Sequence, residues 1–196
     1  MFHQNLAKYH IILASGSPRR QQFFKDLGLD FEIRLKPVEE IYPKQLQHAE
    51  ISDYLAQLKA IPLKDGLKEH DILITSDTIV WHNNEALGKP KDGKEAFEML
   101  RSMSGTTHDV ITSVCFTTTT MQKTVNDITK VTFKELSDDE INHYIETFKP
   151  FDKAGAYGIQ EWIGLIGVTH LEGSYFNVMG MPTHLLYKTL ESIVAE

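Results

Sequence analysis

The chain has 196 residues, 41% of them hydrophobic and 24% charged, with a net charge of −7; this is the make-up of one globular domain, or of two tightly joined lobes, able to bury a proper core. Such an acid balance excludes a broad electrostatic footprint for duplex DNA, RNA or an anionic membrane, so any polyanion site must be local. The single cysteine excludes a disulfide framework, no basic start precedes an apolar leader, and no run approaches the roughly 20 apolar residues that span a bilayer, so a reducing, cytoplasmic setting is expected.

Tyr9 to Ala14 reads as a short buried strand, Ser15, Gly16 and Ser17 as a turn, and Pro18 as the first residue of a helix capped by Ser17. That helix turns Phe23, Phe24 and Leu27 to a core and stops at Gly28, and FEIRL follows as a strand. A second helix is predicted over Ile51 to Ala60, with Ile51, Leu55 and Leu58 on one face, ending before Pro62 and a polar loop. ILITSDTIVWH is the most strand-like run of the chain and carries a carboxylate, Asp77, in its middle.

NNEALGKP reads as a turn and loop, and Asp92 with Glu95 opens a helix that ends near Gly105. Two β-rich segments, HDVITSVCFTTTT and NDITKVTFKEL, are expected to pair; Ser137 to Glu140 is then a capping box before DEINHYIETF. AGAYGIQ and LEGSYFNVMGMP are Gly-rich, EWIGLIGVTHLE between them reads as a variable connection, and a last amphipathic helix runs from about Thr183 to Val194. Strands and helices in this non-alternating order argue for an α/β fold with a mixed sheet.

Two arginines in the first turn of a helix are out of place, because that end already carries about half a positive charge. Ser15, Ser17, the backbone N–H groups after Gly16, Arg19 and Arg20 together offer a cradle for an anion, phosphate being the natural guest. Equally, Ser17 could be a plain cap and the arginines surface cations. The segment is neither a Walker loop nor a nucleophile elbow, so its serines read as binders.

Asp77 is expensive to bury in such an apolar strand unless a cation pairs with it; the alternative is a carboxylate at a strand end capping a loop. Lys59, Lys89, Glu39 and Glu40 are bland taken singly. The nine histidines show no metal-ligand spacing, so a metal here would be oxygen-bound magnesium or manganese. Cys115, inside an apolar stretch, reads as a buried thiol.

Taken together, LASGSPRR (13–20), VEE (38–40), YLAQLKA (54–60), SDTIV (76–80), LGKP (87–90), MLRSMSGTTHDVITSV (99–114), DKAGAYGIQ (152–160) and GSYFNVMGMP (173–182) resemble the Maf family of nucleoside triphosphate pyrophosphatases, in family order over nearly the whole chain. The resemblance implies one Maf-like domain over 1–196 with the Maf/ITPase-like fold: α/β, a mixed, partly antiparallel twisted sheet flanked by helices, two lobes around a cleft. It implies hydrolysis of a nucleoside triphosphate between its α and β phosphates, with a divalent cation (Mg2+ or Mn2+), and it suggests a homodimer. Neither a nucleic-acid polymer nor a membrane is an expected partner.

By the same resemblance Asp77 is the general base, and Ser15, Arg20, Glu39, Lys59 and Lys89 bind substrate, with Asp77 and Glu39 as metal ligands. Arg19, Thr78 and Gln160 match the dTTP/UTP branch of the family, whereas the branch favouring 7-methyl-GTP has Gln after the Asp and an acidic residue in place of the late Gln. A neutral amide at Gln160 can both donate and accept, as the carbonyl and imide N–H of uracil or thymine require. The roles implied are removal of modified nucleotides and an effect on cell division. The rival readings are a nucleotide-binding regulator of septum formation without turnover, and a pyrophosphatase for another nucleotide such as CTP or 7-methyl-GTP.

Overall fold

A computed structural model of the chain describes residues 2–195. Its strands are β1 (His10–Leu13), β2 (Phe31–Ile33), β3 (Asp71–His82), β4 (Glu85–Leu87), β5 (Thr107–Thr117), β6 (Gln122–Phe133) and β7 (Val168–Glu172). The helices are α1 (Phe2–Leu6), α2 (Pro18–Asp26), α3 (Ala49–Lys64), α4 (Gly93–Met103), α5 (Asp138–Phe148), α6 (Trp162–Gly167), α7 (Tyr175–Val178) and α8 (Thr183–Ala195), with a short 3-10 turn at Ala154–Ala156. One seven-stranded sheet runs in the order β2-β1-β3-β5-β6-β7, and β4 pairs with β3. It is mixed, as expected: β1 is parallel to both β2 and β3, while β3–β4 and β6–β7 are antiparallel.

The chain forms two compact units. The first comprises Met1–Asp77, Thr112–Asp127 and Gly180–Glu196, the second Thr78–Ile111 and Ile128–Met179. In the first, β1 lies between two parallel neighbours and pairs Ile11, Ile12 and Leu13 with Ile72, Leu73 and Ile74. A parallel strand covered on both faces explains the unbroken apolar runs in both segments. Ile12, Leu73, Ala60 and Leu63 form a core there, each fully buried leucine contributing about 2 kcal/mol.

α3 outruns its expected end at Ala60 and carries Pro62 inside its final turn. A proline that close to a C-terminus forfeits one hydrogen bond without disrupting turns beyond it, and its own carbonyl accepts from Lys36 Nζ at 2.8 Å. Leu58, expected in the core, is only half-buried.

The second unit packs Leu100, Met103, Phe133, Ile141 and Tyr144 around Val80 and Val110. Asn83 and Asn84, with φ of 51° and 61°, make the two-residue turn that folds β4 back on β3, placing Glu85 opposite His82; asparagine tolerates this left-handed backbone better than most residues. The Ser137 capping box is present in both directions. Asp92 caps α4 through Glu95 N, but Glu95 returns its carboxylate to Lys91 N rather than to Asp92. The segment expected to be a connection instead forms α6 and β7, and Trp162 packs edge-on to His143 with ring centroids 4.9 Å apart.

Candidate active site

In the first unit, β3 carries Asp77 and α3 carries Lys59, and the sequence alternation of the strand brings them together. Thr75 and Asp77 share a face of β3. Thr75 Oγ1 donates to the Ala56 carbonyl at 2.6 Å, and Lys59 Nζ, less than one turn further along α3, donates to Asp77 Oδ1 at 2.6 Å. Asp77 is 5% exposed. Burial pushes its carboxyl above the usual carboxylate range, although Lys59 and Arg20 pull the other way. Among the described residues Oδ2 accepts no hydrogen bond, so the carboxylate is held through Oδ1 with its second oxygen uncommitted.

Arg20 holds the strand beside it. Its Nε donates to the Gly180 carbonyl at 2.8 Å and its Nη1 to the Ser76 carbonyl at 2.9 Å, and burial draws the guanidinium below its ordinary value while Asp77 opposes this. The turn before α2 is built by its serines: Ser15 Oγ accepts from Ser17 N at 3.2 Å and Ser17 Oγ from Arg20 N at 3.5 Å. Gln21 Nε2 donates to the Ser15 carbonyl at 3.1 Å. Ser17 is thus a true cap, and Arg19 stands half-buried in the first helical turn.

Of the adjacent glutamates, Glu40 rather than Glu39 reaches Lys59, with Oε1 3.2 Å from Nζ, while Glu39 is exposed. No three His, Cys, Asp or Glu side chains converge on a point among the described residues. Asp77 with a glutamate beside it is still a hard oxygen pair suited to a divalent cation that takes its other ligands from phosphate and water.

Three further expected site residues belong to the second unit. Thr78 follows Asp77 on β3 and is half-buried, Lys89 is exposed after β4, and Gln160 sits in the loop before α6. Gln160 Oε1 is buried and has no hydrogen-bond partner.

Around Gln160 lies a group that local patterns did not disclose. The Tyr144 hydroxyl accepts from Gly158 N at 3.0 Å and donates a short hydrogen bond to Glu161 Oε2. Glu161 Oε1 is 3.2 Å from Lys153 Nζ. The tyrosine and its carboxylate are 17 positions apart, beyond any helical or strand period, and the Gly-rich AGAYGIQ run gave the only local hint of a special loop here.

The fold is that of the Staphylococcus aureus Ham1 protein, matched with a TM-score of 0.55 at 17% identity over 94% of this chain and 99% of that one. Within that architecture the assignment is narrower: the chain belongs to the family of Maf-like proteins, whose model matches residues 10–193. Among curated relatives, the dTTP/UTP pyrophosphatase of Flavobacterium johnsoniae is 64% identical over 99% of this chain and 100% of its own. Those of Flavobacterium psychrophilum and Christiangramia forsetii, which bear the same name, are 59% and 55% identical over 95% and 99% of this chain, and 96% and 99% of their own.

Proposed function

We propose that this chain hydrolyses dTTP and UTP to the nucleoside monophosphate and pyrophosphate. The observation that carries the reading is Asp77, buried with one oxygen fixed by Lys59 at 2.6 Å and the other uncommitted, in a chain so similar along its full length to proteins of that name. Water attacks the α phosphorus and gives its proton to Asp77 Oδ2, while the bond to the bridging oxygen breaks and pyrophosphate leaves with the electron pair. A carboxyl raised by burial is a better proton acceptor at neutral pH than a surface aspartate. Lys59 keeps it ionised and oriented.

Arg20 contributes by fixing the Ser76 carbonyl and hence the strand that presents Asp77. Arg19 and the N–H groups at the start of α2 supply positive potential for the triphosphate; one well-placed group in such a role is worth roughly 3 to 4 kcal/mol. Thr78 and Gln160 meet the base. Mg2+ or Mn2+, held by Asp77 with Glu39 or Glu40, would neutralise phosphate charge when bound, and ligation competes with proton acceptance for the one uncommitted oxygen of Asp77. The substrates place the reaction in the cytoplasm, where nucleotide pools are made and used.

The test is pyrophosphate release from dTTP, UTP, CTP, dATP and 7-methyl-GTP, each with magnesium, manganese or EDTA. Metal-dependent release strongest with dTTP and UTP is the expected result. Saturable binding without release would replace the enzyme by a nucleotide-binding regulator.

A further inference from the structure

We infer that Tyr144 and Glu161 are positioning residues for Gln160 and set the discrimination of uracil and thymine from cytosine; this rests on the reading that Gln160 meets the base. A primary amide is an ambiguous reader. With its oxygen toward the ring N3 it accepts the imide N–H of uracil or thymine, and its nitrogen donates to the neighbouring carbonyl. Turned over, the same amide matches cytosine, whose N3 accepts and whose exocyclic amine donates. An amide free to turn cannot choose between them.

The second unit supplies what removes that freedom. One phenolic oxygen, on the buried Tyr144 of α5, grips the loop on both sides of Gln160: the Gly158 N–H two residues before it, at 3.0 Å, and the Glu161 carboxylate just after it. Gly158 has no side chain, and the point where a Cβ would stand is 3.0 Å from Gln160 Nε2, 3.0 Å from Glu161 Cδ and 3.1 Å from Lys153 Cε. The amide nitrogen therefore packs on the same spot as the carboxylate, whose negative charge favours an N–H end there and disfavours an oxygen. Lys153 holds the far oxygen of Glu161 at 3.2 Å. Gln160 Oε1 is left buried with its acceptor capacity unspent, the state an imide N–H would relieve.

Two variants of the full chain test this, Tyr144→Phe and Glu161→Gln, alongside Gln160→Ala. The expected result is a dTTP-over-CTP preference in kcat/KM reduced at least about fivefold in both, with KM for dTTP raised and kcat within about threefold of the parent. The side-chain amide signal of Gln160 in a 1H–15N spectrum, identified by its loss in Gln160→Ala, should shift or broaden in both. An unmoved amide signal and unchanged preference in folded Glu161→Gln would overturn the inference, and this variant keeps the volume of the side chain should Tyr144→Phe fail to fold. An unchanged preference in Gln160→Ala would instead overturn the reading of Gln160 as the base contact, and the inference with it.

Discussion

Each unit sets a carboxylate against a lysine, Asp77 buried and Glu161 half-buried, and the two are finished differently. Asp77 in the first unit has one oxygen on Lys59 and the other uncommitted. Glu161 in the second has both engaged, one by Tyr144 and one by Lys153. A carboxylate with both oxygens engaged by donors holds structure together. One with an oxygen in reserve, made basic by burial, is set up to receive a proton. The difference lies in the partners and not in the residue type.

The sharpest way to break the contrast is Asp77→Asn, which should lower kcat at least about a hundredfold. The folded carboxyl is raised, so its ionised form costs stability that grows as pH rises through the folded value, and an amide escapes this cost. The melting temperature should accordingly stay within about 3 °C of the parent. Wild-type activity in a folded Asp77→Asn protein would remove Asp77 from the chemistry.

Lys59→Met leaves Asp77 buried without its cation. Turnover should fall, and the acid limb of the pH–rate profile should move to higher pH, since losing a positive neighbour favours the protonated carboxyl. Stability should drop by about 2 kcal/mol, below the figure for a fully buried pair because Lys59 is partly exposed. A pH–rate series with thermal melts checks both; an acid limb left in place would mean that a different group sets it.

The second unit has its own titration signature in His108, held neutral by burial with a pKa of about 3 and bonded to the Tyr157 hydroxyl at 2.8 Å. A depressed folded value means that stability is intact above about pH 6.5 and is lost as pH falls toward 3, at up to about 1.4 kcal/mol per unit. Denaturant melts between pH 7 and 5 should show that slope, and His108→Gln should flatten it. The smallest effect is expected for Ser137→Ala, which removes the α5 cap and should cost about 1 kcal/mol with kcat unchanged; a fall in kcat there would tie the α5 scaffold to catalysis.

Much of this was legible in the chain itself, for reasons that differ by element. The β3 run announces itself by β-branched density, and Ser17 and Ser137 by cap chemistry, because those signals are local. Asp77 stood out as a carboxylate in apolar company. That Lys59 would be its cation, or that Glu40 and not Glu39 would join it, was not readable from adjacent residues in a loop whose path is set by packing. α6 and β7 leave no clear period in the sequence, because glycines interrupt the apolar pattern of 161–172. α3 runs past the end its sequence suggests because a proline stops a helix in its interior but not in its last turn, where Pro62 sits.

The Arg20–Gly180 hydrogen bond spans 160 positions of sequence, and this has a consequence for biosynthesis. During translation Asp77, Lys59 and Ser76 emerge long before the residue whose carbonyl takes the Arg20 Nε–H, and the first unit also draws on Thr112–Asp127 and the closing Gly180–Glu196 segment. A nascent chain stalled before Gly180 therefore has Arg20 without one anchor and its first unit incomplete. A chain terminated before Gly180 should thus release no pyrophosphate.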